Sequence, residues 1–235
     1  NVEGTRRLLT KARKSKINKA IILSSNSAFG CNPTPEHRFT ELSAYNPYMG
    51  YGYSKFFMET YIQSIIDTDL AVPITTIRAP WFYGPHQPPR QKQVFEMIRK
   101  GKVPIVGSGL NKRSMVFVSN LVQGILLAAV KSEANNEIFW IADESPYSFR
   151  EILDTVEELM QTEFSVQCKG GRLWLPDCCS DISYVVDWLL QRFGVYNQKV
   201  HVLSELNKTI ACDISKAKER LGYSPQFSLR EGMRQ

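Results

Sequence analysis

Tyr51 and Lys55 are the residues whose types and spacing could carry out proton transfer. They lie four residues apart in the stretch "NPYMGYGYSK", and residues four apart on a helix share one face. A tyrosine phenol has an ordinary pKa of about 10, and a neighbouring ammonium favours its phenolate form. Such a phenol can take a proton from an alcohol, or donate one to a carbonyl, while a hydride moves elsewhere. Tyr51 is the tyrosine of this stretch with a cation four positions on, although a plain surface pair would have the same spacing.

A serine-rich turn precedes this pair along the chain. The stretch "LSSNSAFG" follows directly on a short apolar run, "KAIILSS", that predicts a buried strand. In open parallel sheets, ligands bind at the carboxyl ends of the strands. A hydroxyl of Ser24, Ser25 or Ser27 could therefore hold a substrate oxygen beside the phenol. The alternative is that these serines satisfy only backbone groups of the turn.

The elements around these residues alternate between strand and helix patterns. The sequence predicts a helix at Val2–Ala12, a strand at Lys19–Ser25 buried on both faces, a helix at Tyr51–Thr68 and a second strand at Val72–Ala79. This order predicts an α/β fold with a parallel sheet and flanking helices. After a proline-rich loop, further helices are predicted at Val94–Lys100, Asn120–Lys131 and Ser148–Gln161, with a strand at "EIFWIA". The last third reads as more irregular and ends in a helix closed by Gly222.

Composition and spacing argue against several classes of protein. The 235 residues carry a net charge of +6, much of it between Arg6 and Lys16 around one helix end, without interleaved aromatic residues. This pattern predicts a solvated helix face and no nucleic-acid partner. The absence of an apolar run of about 18 residues predicts no membrane span. The five cysteines and three histidines lack framework or ligand spacings, so we expect reduced thiols and no metal site.

Three motifs together carry a family resemblance. "LSSNSAFG", "NPYMGYGYSK" and "IRAPWFYGP", in this order, resemble the extended short-chain dehydrogenase/reductase family of NAD(P)-dependent epimerases, dehydratases and reductases. The opening "NVEGTRRLL", the central "VPIVGSGLNKRSMVFVSNLVQGILLA" and the closing "ISKAKERLGYSPQFSLREGM" are similar to further landmarks of that family. The resemblance thus covers nearly the whole chain.

The resemblance implies a domain organisation and a cofactor. Residues 1–80 would form the C-terminal part of a Rossmann-type dinucleotide-binding domain, and residues 81–235 mainly a substrate-binding region with elements that return to the sheet. The cofactor would be NAD or NADP, and the protein a cytoplasmic homodimer. The family's GxxGxxG fingerprint does not occur in the chain, since Gly107 and Gly109 predict a turn instead. We therefore expect the first strands to precede residue 1, and the chain alone to hold the cofactor poorly.

The resemblance also assigns roles to individual residues. The catalytic group would comprise Ser25, which orients the reacting oxygen, Tyr51 as acid/base, and Lys55, which binds the nicotinamide ribose and lowers the tyrosine pKa. Tyr51, Lys55, Ser24 and Pro80 would contact the cofactor. The residues expected to contact the substrate are Ser27, Trp81 and Arg113.

The substrate class stays open between alternatives. Arg113 matches an arginine that binds the diphosphate in many nucleotide-sugar enzymes of the family, so a nucleotide sugar is favoured. Trp81 stands where many of those members have Asn. Asn120 stands where Asp is frequent, and an Asn at this position is seen in members that resemble 3β-hydroxysteroid dehydrogenases. An apolar alcohol, a small aldehyde or ketone, or a non-catalytic binding role on the same fold are the alternatives. Phe56, Phe57, Tyr61 and Ile65 could serve the dimer or the core.

Overall fold

The computed structural model describes residues 1–15, 17–66, 72–86 and 89–235. Lys16, the predicted helix end at Thr68, and residues 87 and 88 of the proline-rich loop lie outside these ranges. The α-helices of the described part are α1 (Val2–Lys14), α2 (Met49–Ile66), α3 (Pro89–Arg99), α4 (Val118–Val130), α5 (Phe149–Thr162), α6 (Cys178–Arg192), α7 (Gln198–Glu205), α8 (Ser215–Leu221) and α9 (Leu229–Met233). The strands are β1 (Ala20–Ser25), β2 (Ile74–Ala79), β3 (Trp81–Tyr83), β4 (Pro104–Val106), β5 (Lys112–Arg113), β6 (Met115–Phe117), β7 (Ile138–Trp140), β8 (Tyr147–Ser148) and β9 (Leu173–Leu175).

The main sheet of the described residues is parallel and has the strand order β1–β2–β7. Its register pairs Ser24 with Arg78 and Ser25 with Ala79. The predicted α/β fold with a parallel sheet is confirmed. Strand β2 is buried at every position, but the predicted burial of β1 on both faces is wrong, because Leu23 is 45% exposed. Within the described residues, β1 pairs with β2 on one side.

Helices cover both faces of this sheet because its apolar side chains alternate between two cores. One core joins strand residues to α1 and α2, and its members are Leu9, Ile22, Met58, Ile62 and Ile74. The opposite core joins the sheet to α4 and α8, through Ile77, Leu121, Phe139, Ala217 and Leu221. Ile74 and Ile77 are three residues apart on one strand, so they point to opposite faces.

A buried ion pair fastens α2 to β2. The Arg78 guanidinium donates to Glu59 Oε2 through Nε at 3.0 Å and through Nη2 at 2.7 Å, and both side chains are enclosed. Tyr45 donates its hydroxyl to the same carboxylate oxygen at 2.8 Å. The contacts lie where β2 approaches its carboxyl end, and they fix how α2 crosses the sheet.

The last third is less irregular than the sequence indicates, because α6 and α7 occupy it as a packed helix pair. Ser180 of α6 donates its hydroxyl to the α7 carbonyls of Leu203 and Ser204, at 3.1 and 2.7 Å. Helix α6 escapes sequence prediction because its apolar residues do not form one buried stripe. Several of them are exposed, namely Ile182, Tyr184, Val185, Val186, Trp188 and Leu189.

Three glycines adopt the roles that the sequence predicts for them. Gly222 closes α8 with a left-handed φ of 62°, which a residue without Cβ adopts readily. Gly107 and Gly109 lie in a turn between β4 and β5.

No described helix combines the length and apolarity that crossing a membrane requires. The five cysteines are free thiols, and no group of three or more His, Cys, Asp or Glu residues in the described part could hold a metal.

Candidate active site

The serine turn lies at the carboxyl end of β1. Ser25 ends the strand and caps a single 3-10 turn, Asn26–Ala28, with its Oγ accepting from the Ser27 amide at 3.3 Å. The Ser25 hydroxyl also lies 3.3 Å from Ser27 Oγ. Ser24 is buried, and its Oγ has no hydrogen-bond partner in the described part of the chain. The turn therefore holds two linked hydroxyls and one enclosed hydroxyl at the edge where parallel sheets bind ligands.

The first turn of α2 is packed directly on this serine turn. The Tyr48 amide donates to the Ser27 carbonyl at 2.9 Å. A Cβ atom on Gly52 would lie 2.3 Å from the same carbonyl oxygen, closer than any real contact. Glycine at position 52 therefore permits the close approach that brings the helix turn of Tyr51 to the serines.

Tyr51 and Lys55 lie on one face of α2, as their spacing predicts. The Tyr51 side chain is 54% exposed, and Lys55 Nζ lies 5.9 Å from the centroid of its ring. Lys55 also donates to the Leu23 carbonyl at 3.0 Å, which ties α2 to β1. Burial lowers the pKa of Lys55, and the nearby Glu59 carboxylate raises it in part. Among the residues that the structure describes, the Lys55 ammonium makes this one hydrogen bond, and it has three N–H donors in all.

The other tyrosines of the stretch have different surroundings. Tyr48 is buried, shares a hydrogen bond with Ser204 Oγ of α7, and packs against the ring of Tyr184. Burial raises the pKa of its phenol well above the usual value. Tyr53 is exposed and packs against Phe57. Tyr48 therefore joins α2 to the helix pair, and Tyr53 lies on the surface.

One cavity of about 270 Å³ brings together Ser27, Trp81 and Arg113, the three residues predicted to contact substrate. They come from the serine turn, from β3 and from β5. Ser25, Tyr51 and Lys55 do not line this cavity, but Ser27 connects it to them through the turn. Pro80 is buried between β2 and β3.

Arg113 is held against α7. Its Nη2 donates to the Glu205 carbonyl, and its Nη1 lies 4.0 Å from Glu205 Oε2. The Arg113 Nε is buried and has no partner among the described residues. The sequence did not predict that α7 lines the cavity with His201, Val202, Glu205 and Leu206, because α7 itself was not predicted. The four-residue spacing of His201 and Glu205 was the available signal.

A second cavity of about 350 Å³ adjoins the first and shares Trp81 and Val94 with it. Its walls are mostly apolar and include Phe95, Ile98, Met115, Ile152, Leu153 and Val156. Trp81 therefore lies between two cavities, and the one that contains Arg113 has the more polar side chains.

A parallel sheet covered by helices on both faces, with a tyrosine–lysine helix on a serine turn, defines a Rossmann-type α/β protein. The chain belongs to the NAD dependent epimerase/dehydratase family, whose family model matches residues 1–142. The predicted resemblance is thereby confirmed.

Relatives extend over the whole chain. An uncharacterized protein of Sinorhizobium fredii, y4nL, is 49% identical over 233 residues, which are 99% of this chain and 65% of that protein. The UDP-glucose 4-epimerase of Vibrio cholerae is 27% identical over 236 residues, covering 100% of this chain and 67% of that protein. The structure of a Bacillus anthracis dTDP-glucose 4,6-dehydratase in complex with NAD superposes with a TM-score of 0.73 at 20% identity, covering 99% of this chain and 65% of that one. The chain thus spans about two thirds of the length of these proteins.

Proposed function

We propose that the full-length protein is an NAD(P)-dependent epimerase, dehydratase or related oxidoreductase that acts on a carbinol or carbonyl carbon, with Tyr51 as acid/base. The observation that carries the proposal is the close packing of the Tyr51 turn on the serine turn, through Gly52 and the Ser27 carbonyl. Further support comes from the Lys55 ammonium, 5.9 Å from the centroid of the Tyr51 ring, and from Ser27, which contacts Ser25 and lines the cavity.

The residues present fit the nicotinamide half of a dinucleotide. The buried Ser24 hydroxyl has an unused hydrogen-bonding capacity among the described residues, and Lys55 keeps N–H groups beyond its bond to Leu23. Ser24, Tyr51, Lys55 and Pro80 would hold this half, since Pro80 follows the β2 residue that pairs with Ser25. NAD or NADP, when bound, supplies the hydride acceptor and donor. The relative solved with NAD supports this choice of cofactor.

Residues of this chain would transfer the proton to and from the substrate oxygen. Ser25 holds the reacting oxygen of the substrate, and Tyr51 Oη takes the proton from that oxygen or returns it. The Lys55 ammonium, 5.9 Å from the Tyr51 ring, stabilises negative charge on the phenol oxygen. General acid/base catalysis of this kind contributes roughly 10²- to 10⁴-fold to a rate.

Replacing Tyr51 tests the mechanism. Tyr51→Phe in the full-length protein is expected to lower kcat by about 10²- to 10⁴-fold while NAD affinity stays near wild type, since the ring remains. Tyr53→Phe is the matched control, because Tyr53 lies two residues on in α2 and is similarly exposed. Turnover that survives Tyr51→Phe would refute the assignment and favour the non-catalytic role.

A nucleotide sugar is the substrate class that we propose first. Arg113 presents a guanidinium in the 270 Å³ cavity, where it could bind a diphosphate, and the named relatives from Vibrio cholerae and Bacillus anthracis act on UDP-glucose and dTDP-glucose. Arg113→Ala is expected to weaken the affinity for UDP-glucose or dTDP-glucose by about tenfold or more. Arg150→Ala, an exposed arginine outside the cavity, is the control. Unchanged affinity in Arg113→Ala would argue against a sugar nucleotide.

An apolar alcohol is the second candidate, favoured by the mostly apolar 350 Å³ cavity that Trp81 borders. An apolar ring system could occupy that space, because few polar groups of the cavity wall would lose contact with water. Turnover of a 3β-hydroxysterol, without turnover of UDP-glucose or dTDP-glucose, would select this candidate.

We also propose that the full-length protein is a homodimer. Phe57 of α2 and Leu8 of α1 are exposed, whereas Phe56, Tyr61 and Ile65 pack into the cores. Exposed apolar side chains on two contacting helices suit a subunit interface. A monomer mass in light scattering at micromolar concentration would contradict this proposal.

A further inference from the structure

The buried Asp187 of α6 pairs with the half-buried His201 of α7. His201 Nδ1 lies 2.7 Å from Asp187 Oδ2, and Gln191 Nε2 donates to the same oxygen at 3.0 Å. Asp187 is 0% exposed, and its Oδ1 is buried without a partner among the described residues. A carboxylate at Nδ1 fixes the orientation of an imidazole ring and leaves Nε2 as the nitrogen that a ligand can reach.

His201 also lines the cavity that contains Arg113. His201 and Glu205 are four residues apart and share one face of α7. Because Arg113 is bound to the Glu205 carbonyl, its guanidinium lies about one helical turn along α7 from the backbone of His201. The rings of Tyr48 and Tyr196 pack on His201, each with its centroid 5.5 Å away, and restrict its movement.

We propose that His201, positioned by Asp187, is a second binding group for a phosphate of the substrate, next to Arg113. With Nδ1–H donating to the Asp187 carboxylate, Nε2 is an acceptor in the neutral imidazole and a donor to a phosphate oxygen in the imidazolium. A phosphate oxygen accepts hydrogen bonds, so the imidazolium form is the one that binds it, beside the donors of the Arg113 guanidinium. This proposal rests on the proposed phosphate-bearing substrate and assigns the α6–α7 pair a role in holding it.

The competing explanation is that the pair only joins α6 to α7. Ser180 provides a control for that role, because it is buried, joins α6 to two α7 carbonyls, and does not line the cavity. Ser180→Ala should loosen the helix pair without removing a ligand contact. His201→Gln should remove the imidazole while keeping a polar side chain of similar length.

Binding of inorganic pyrophosphate to the full-length protein tests the proposal. NAD is added at saturation to occupy the dinucleotide site, and affinity is measured by titration calorimetry. We expect His201→Gln to weaken pyrophosphate binding by about tenfold or more, and Asp187→Asn to weaken it less, because an amide oxygen can still accept from Nδ1. Ser180→Ala is expected to bind within about twofold of wild type while its Tm falls.

Three results would overturn the proposal: unchanged affinity in His201→Gln, an equal loss in Ser180→Ala, or no pyrophosphate binding by the wild type. The measurement uses no turnover. If Tyr51→Phe keeps its activity, the proposed mechanism is wrong. The role of His201 is then still decided separately, by the pyrophosphate titration.

Discussion

Gly52 decides how closely α2 approaches the serine turn. A methyl group there would meet the Ser27 carbonyl at 2.3 Å and the Pro47 carbonyl carbon at 3.1 Å, and both atoms belong to the backbone. We predict that Gly52→Ala displaces the turn and lowers kcat of the full-length protein by at least about tenfold, since misplacement of about 1 Å can cost 10²-fold.

Gly50→Ala is the control for this substitution. Its Cβ would meet Gln191 Oε1 at 3.6 Å, an ordinary contact. Alanine is the better helix former by about 0.5–1 kcal/mol, so Gly50→Ala should keep full activity and raise the urea midpoint. Equal activity in both variants would show that the close approach at Gly52 is dispensable.

Single residues differ in how far the sequence could predict their surroundings. The Tyr51–Lys55 spacing follows from helix geometry alone. The bond from Lys55 to the Leu23 carbonyl does not, because it depends on how α2 crosses β1. Arg113 and His201 are 88 positions apart in the chain, and only the packed α7 brings them to one cavity. The catalytic, cofactor and substrate roles themselves stay predictions.

The crossing of α2 over β2 depends on the Glu59–Arg78 pair. Both side chains are 1% exposed, and Arg78 also donates to the Glu41 carbonyl at 3.1 Å. We predict that Glu59→Ala lowers the free energy of unfolding by about 3–5 kcal/mol, because it leaves an uncompensated buried guanidinium. Urea denaturation monitored by tryptophan fluorescence measures this change.

Glu96→Ala supplies the comparison for Glu59→Ala. Glu96 pairs with Arg99 and Lys100 on an exposed face of α3, where water and salt screen the charges. Its urea midpoint should stay close to wild type. A Glu59→Ala protein with the same midpoint would show that the buried pair contributes nothing net.

Elements with a regular buried pattern were predictable, and others were not. Strand β2 follows from its apolar run and α8 from its glycine stop, and α2 follows from the apolar run after its glycine-punctuated start. Helices α6 and α7 depend on each other and on Tyr48 for burial, so no local pattern marks them. The division at residue 80 and a cytoplasmic location stay predictions.

The free thiols report on the integrity of the whole molecule. Burial raises the pKa of Cys212 to about 12 and that of Cys31 to about 11, so both stay protonated at pH 8 while the protein is folded. Cys178 is exposed. We predict that iodoacetamide at pH 8 labels Cys178 first, and that Cys31 and Cys212 react only after unfolding, when their pKa returns to about 8.5.

Peptide mass spectrometry with and without denaturing urea measures this order. Labelling of Cys212 at the rate of Cys178 in the folded protein would contradict the enclosed environment of Cys212.

The strand-like link between Ile210 and the segment around β5 has a consequence for biosynthesis. The Ile210 amide donates to the Lys112 carbonyl at 2.8 Å, and the Ser114 amide donates to the Ile210 carbonyl at 2.9 Å. Ile210, Arg113 and Ser27 line the same cavity. During translation the serine turn after β1 emerges from the ribosome before β5, and α7 and Ile210 emerge after both. A nascent chain that stops before α7 therefore holds Ser27 and Arg113 but lacks the wall that α7 and Ile210 give to their cavity.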